Sequence, residues 1–78
     1  MNEWLTRQAD ALAAGADVPR DALELDEATA TTLLDLARIA AHDSGDRRTA
    51  PLLCYLVGRS QGAAKDLAEL AEIVRSTS

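Results

Sequence analysis

Apolar residues recur along this chain three or four positions apart, the period of an α-helix, in four stretches separated by polar, turn-forming segments. The first sets Trp4, Leu5, Leu12 and several alanines behind Asn2, a side chain suited to accept from first-turn amides, with Glu3 in that turn. It predicts a helix from Glu3 to about Ala14, ended by Gly15. From Asp17 to Asp21, Pro19 biases Val18 toward an extended backbone, and Leu23 and Leu25 then alternate with acids. That segment reads as a connector with at most one helical turn, its two leucines closing the end of a bundle. Asp26 is the natural cap of a second helix, with Glu27 against the positive end of its dipole and Leu33, Leu34, Leu36, Ala37, Ile39 and Ala40 along it as far as Ala41.

After His42 the run Asp43-Ser44-Gly45-Asp46-Arg47-Arg48 is polar and carries no apolar period, so it predicts an exposed loop. Thr49 then caps a third helix, and Pro51 fits its first turn because the amide it lacks has no helical partner there. Leu52, Leu53, Cys54, Tyr55, Leu56 and Val57 leave hardly any polar face, the pattern of a helix surrounded by others. Gly58 and Ser60 are small enough to admit a neighbouring backbone, and Gly62 suits a left-handed end. The last stretch, Ala63 to Arg75, sets Ala64, Leu67, Ala68, Ala71 and Val74 on one side, widened by Leu70 and Ile73. Lys65, Glu69 and Glu72 give it a solvated face, and Ser76 to Ser78 frays. The expected fold is all-α: one compact, four-helix bundle-like domain over residues 1–78, with a central apolar third helix.

Composition sharpens this picture in two ways. Apolar residues make up 47% of the chain but aromatics only 3%, so the core is built from Leu, Ile, Val and Ala and is thin, and burying more surface against a partner or a second copy adds stability. The net charge of -5 over 78 residues opposes binding to a phosphate backbone, which needs a broad basic surface, so nucleic acid is not an expected partner. Cys54 stands alone and cannot form an internal disulfide, and the opening Met1-Asn2-Glu3-Trp4 has neither the basic nor the apolar region of a secretory signal. The longest apolar run, Leu52 to Val57, falls far short of the about 20 residues that span a bilayer. A cytoplasmic protein without membrane insertion is expected.

Candidate chemistry gathers at one place. Thr31, Asp35, Arg38 and His42 are spaced by four, three and four, which aligns them on one polar stripe of the second helix, and Arg47 and Arg48 follow. Arg38, His42, Arg47, Arg48 and the helix start at Thr49 concentrate cationic groups in an acidic chain. Free amides and guanidinium groups there would suit a phosphate, a carboxylate or an acidic partner surface. The competing reading is local neutralisation: Arg38 by Asp35, the loop arginines by Asp43 and Asp46, and His42 simply solvated near a helix C-terminus. A metal site lacks a second histidine or paired acids at ligand spacing beside His42 and Cys54, and Cys54 lies in an apolar helix where burial makes a thiol inert. Neither a Gly-rich phosphate loop nor a nucleophile elbow occurs. The chain is expected not to be an enzyme and to need no cofactor.

The segments Met1 to Leu5, Leu33-Leu34-Asp35-Leu36-Ala37-Arg38-Ile39-Ala40-Ala41-His42 and Arg48-Thr49-Ala50-Pro51-Leu52-Leu53-Cys54-Tyr55-Leu56-Val57-Gly58 resemble a small actinobacterial domain of unknown function. That domain is found alone or fused to molybdenum cofactor guanylyltransferase, the molybdopterin-guanine dinucleotide biosynthesis protein A. The resemblance covers Met1 to about Ala71 and implies an accessory role in molybdenum cofactor maturation, with the guanylyltransferase as partner. It implies no transferase activity, since that enzyme's phosphate loop and metal-holding acids have no counterpart here. Arg38, His42, Arg48 and Pro51 fall on the family pattern, so the resemblance implies that this patch holds a phosphorylated pterin or nucleotide, or docks an acidic surface of the enzyme. The alternative is a helical self-association domain, in which leftover apolar surface on the first or last helix makes a homodimer and the basic patch is inert.

Overall fold

The four periodic stretches form α1 (Glu3–Ala16), α2 (Glu27–Ser44), α3 (Thr49–Ser60) and α4 (Leu67–Thr77), with a 3-10 turn at Arg20–Leu23. The structure, a computed structural model, describes residues 2–61 and 66–77, and among these the chain is all-α with no strand.

Side chains three residues back from a helical amide start three of the helices. The Asn2 side chain accepts from Leu5 N at 2.8 Å, and the Asp26 carboxylate accepts from Thr29 N at 2.7 Å, as their positions predict. Asp66 accepts from Glu69 N at 3.0 Å while the Glu69 carboxylate accepts from Asp66 N at 3.4 Å, a reciprocal pair that satisfies two otherwise orphaned amides. Ala63, Ala64 and Lys65, expected in the last helix, and Gly62, expected to end the third, lie outside the described residues.

Boundaries of all four helices differ from the sequence-based expectation, the last one following Asp66 and running through Ser76 to Thr77, where fraying was expected. Gly15 stays inside α1, and the left-handed residue that ends the helix is Asp17, at φ 56° and ψ 47°, a conformation its short polar side chain tolerates better than most. The second helix runs three residues past Ala41, to Ser44, and Gly45 at φ 74° ends it. Thr49 is the first residue of α3 rather than its cap. Arg48 takes that position without a side-chain cap bond, and Asp46, on the loop side, accepts from Arg48 N through its carboxylate at 2.9 Å and from Thr49 N through its carbonyl at 3.0 Å.

The chain falls into two units, Met1–Ala30 and Thr31–Ser78. In the first, Leu23 and Leu25 lie with Leu5 and Ala9 around a small cleft, and Arg20 reaches from the 3-10 turn to Asp10 at 2.6 Å and to Glu24 at 3.4 Å. No residue of α1 or of the turn is buried.

The second unit holds the core. Leu36 of α2, Val57 of α3 and Leu70 and Ala71 of α4 are buried together, with Ile39, Leu53, Leu67 and Val74 packed round them. The third helix meets α2 where the Cys54 thiol donates to Leu33 O at 3.7 Å, and it packs on α4, the central place that its apolar sequence predicts. Its envelopment is one-sided. Leu53 and Val57 face the core, whereas Leu52, Tyr55 and Leu56 are exposed. Nothing lies within 4 Å of the position a Cβ would take at Gly58, so the close backbone approach expected there is absent.

Candidate functional site

The residues of the cationic cluster sit at the end of the second unit where α2 hands over to α3, and they divide into neutralised and open groups. Arg38 Nη2 donates to Asp35 Oδ1 at 2.8 Å, and the other carboxylate oxygen of Asp35 accepts from Arg75 Nη2 at 3.1 Å. Arg38 is thereby drawn into a clasp between α2 and α4. The Arg38 guanidinium, then that of Arg75, hold the Asp35 carboxyl below the usual carboxylate range.

Within the loop, Arg48 grips Asp46 with Nε at 3.1 Å from Oδ1 and Nη2 at 2.9 Å from Oδ2, a forked pairing that keeps Asp46 ionised to lower pH than an ordinary aspartate. The Ser44 hydroxyl donates to Asp46 O and accepts from Asp46 N, both at 3.1 Å, which fixes the turn. His42 and Arg47 are exposed and have no carboxylate within ion-pair reach among the described residues.

The backbone settles what the start of α3 can offer. Arg48 N and Thr49 N are taken by Asp46, Ala50 N by Arg47 O at 3.2 Å, and Pro51 has no amide. A bound anion at a helix start relies on such amides being open. Here the loop satisfies them itself, so the unpaired cation of this end, among the described residues, is Arg47.

Beside the loop, α2, α3 and α4 enclose a groove of about 320 Å³ floored by Ile39, Leu53, Ile73 and Val74, with Asp43 and Thr49 on its rim. Thr49 is half-buried and belongs to this rim. Two further hydroxyls of its lining are engaged by backbone, Ser44 donating to Asp46 O at 3.1 Å and Thr77 to Ile73 O at 2.8 Å. Cys54 is half-buried in the α2–α3 contact, where burial pushes its thiol up and away from the reactive thiolate. No group of three or more His, Cys, Asp or Glu able to hold a metal occurs among the described residues, and no helix described is long and apolar enough to cross a membrane.

The outer face of α3 is the feature that sequence reasoning missed. Leu52, Tyr55 and Leu56 stand together there, and the Arg59 guanidinium lies over the Tyr55 ring, 5.7 Å from its centroid. The available signal was the spacing 52, 55, 56, 59, which follows one helical face, in a helix with no acidic residue.

Fold and site together define a small all-helical domain without an evident catalytic grouping among its described residues. The chain belongs to the family described as Domain of unknown function (DUF6457), whose profile matches residues 1–78. No curated protein and no solved structure matches the sequence.

Proposed function

We propose that this chain is a non-catalytic protein-interaction module that serves molybdenum cofactor assembly by docking onto a molybdenum cofactor guanylyltransferase. The link to that enzyme rests on the family resemblance of the Leu33–His42 and Arg48–Gly58 segments. The observation that carries the interaction role is the outer face of α3, where three large apolar side chains stand exposed on a domain whose core is only a few residues deep. Of the two uses the cationic cluster suggests, partner docking is better supported than capture of a phosphorylated pterin or nucleotide. The helix-start amides that would hold a phosphate are already bonded, whereas Arg47, and more weakly the paired Arg38 and Arg48, still offer positive charge to an acidic surface.

Calorimetric titration of the whole chain into the guanylyltransferase tests this, with saturable one-to-one binding expected. No heat and no co-elution at about 100 µM, a concentration at which even a weak specific complex forms, would remove the reading. The same exposed face supports self-association as the second reading, checked by sedimentation over a range of concentrations. A constant monomer mass would defeat it.

A further inference from the structure

The outward face of α3 has charge as well as shape. Arg48, Leu52, Tyr55, Leu56 and Arg59 follow one another at steps of four, three, one and three, which keeps them within one strip of helix surface about 16 Å long. Leu52 and Tyr55 are each 64% exposed and Leu56 58%, so the strip is apolar in its middle and open to solvent. Its C-terminal end is cationic, since Arg59 makes no ion pair among the described residues and lies over the Tyr55 ring, whereas at the other end Asp46 holds Arg48 in a forked pair. From Thr49 to Ser60 the helix has no Asp or Glu, in a chain with 13 acidic and 8 basic residues.

We infer that this strip docks an amphipathic helix of a partner protein, with apolar residues three and four apart along its contact face and Asp or Glu at the end that meets Arg59. The inference rests on the reading of the chain as an interaction module and names the chemistry of the partner. A helix laid along α3 would set its apolar positions against Leu52, Tyr55 and Leu56 and its terminal carboxylates against Arg59. Such pairs steer encounter and fix register across an interface. A second copy of this chain is a worse occupant. Two α3 strips face to face and parallel set Arg59 against Arg59, and an antiparallel pair sets Arg59 against an Asp46 already held by its own Arg48.

The test uses the full isotope-labelled chain and two synthetic helical peptides with identical leucine positions, one ending in glutamates and the other in lysines. The glutamate peptide is expected to shift the amides of Leu52 to Arg59 saturably, with the lysine peptide at least about tenfold weaker. Arg59→Glu is expected to reverse that preference, and Tyr55→Ala to weaken both peptides, while circular dichroism shows both variants as helical as the parent. Equal binding of the two peptides, shifts confined to other helices, or no shifts at about 1 mM would overturn the inference. So would a concentration-dependent dimer that Tyr55→Ala dissolves, which would assign the strip to a second copy. Should both variants bind the guanylyltransferase as the parent does, the strip is not its docking face and the inference fails while the interaction role stands. Should the parent ignore the enzyme yet discriminate the peptides, the partner named above is wrong and the strip's chemistry stands.

Discussion

Leu34 and Leu36 lie two positions apart on α2, a rotation of about 200° around the helix, and the fold gives them opposite fates. Leu36 is 0% exposed at the centre of the cluster with Val57, Leu70 and Ala71, whereas Leu34 is 71% exposed. Truncating Leu36 to alanine removes buried methyl groups and leaves a cavity that the neighbouring helices fill only in part, a loss of about 3 kcal/mol. For 78 residues a total stability of roughly 4–12 kcal/mol is expected at ordinary values per residue, so this one change removes a quarter or more of it. The corresponding fall in Tm is roughly 12–24 °C for a domain of this size. Leu34→Ala, which removes side chain already in water, is expected within about 0.5 kcal/mol of the parent. Urea unfolding followed by helical circular dichroism measures both, with the midpoint moving and the slope held. Equal costs, or a larger cost at Leu34, would mean that α2 presents a different face to α3 and α4, and the core described here would be wrong.

Acid sensitivity follows from Asp26, Asp35 and Asp46, whose carboxyls are held low by Thr29 N, by Arg38 and then Arg75, and by Arg48. Groups with depressed folded pKa contribute stability that is fully present above the unfolded value of about 3.9 and is lost as pH falls through their lower folded values. Thermal melts are therefore expected to be flat in these contributions from pH 7 to about 5 and to drop below about 4, with a smaller drop in Asp35→Asn. A loss already complete by pH 5, or an unchanged acid drop in that variant, would contradict the assignment. Glycine substitutions are expected to separate by backbone conformation alone, because a Cβ meets nothing within 4 Å at either Gly45 or Gly15. Gly45→Ala, at φ 74°, should cost about 1 kcal/mol, whereas Gly15→Ala, inside α1, should gain up to about 1 kcal/mol. Chemical denaturation of the pair decides it, and a common sign would count against the two conformations.

What the sequence made legible was local. Asn2 and Asp26 cap amides three residues on, and the Asp35–Arg38 pair spans one turn, so a reader of the chain needs no tertiary information to place them. Competition between adjacent residues was harder. Thr49 is a cap-forming residue, yet the helix takes it in as its first residue, because Asp46, its backbone fixed by the Ser44 hydroxyl, already accepts from Arg48 N and Thr49 N. Gly15 and Asp17 compete in the same way, and the helix runs on until Val18 N finds Ala13 O at 3.0 Å. The Arg75–Asp35 contact joins residues 40 positions apart and depends on how α4 lies against α2, which no spacing rule reaches. The run Leu52 to Val57 misled for another reason: an apolar sequence shows that a helix avoids water, not which of its faces its own chain covers.

That last distinction bears on why the α3 strip exists. The core uses Leu53 and Val57, and the α2 contact uses Cys54, so Leu52, Tyr55 and Leu56 take no part in the buried cluster. An exposed leucine or tyrosine raises the risk of non-specific association. On the proposed docking a partner would cover this face, and its binding would act on stability as well. A partner that binds only the folded chain, present at a hundred times its dissociation constant, adds about 2.7 kcal/mol, close to what burial of Leu36 contributes. In a domain this thinly cored the covered face of α3 would act as an added piece of core contributed by another molecule. Arg59→Glu separates the two effects, since it changes the charge that selects the partner and touches none of the residues that hold the helices together.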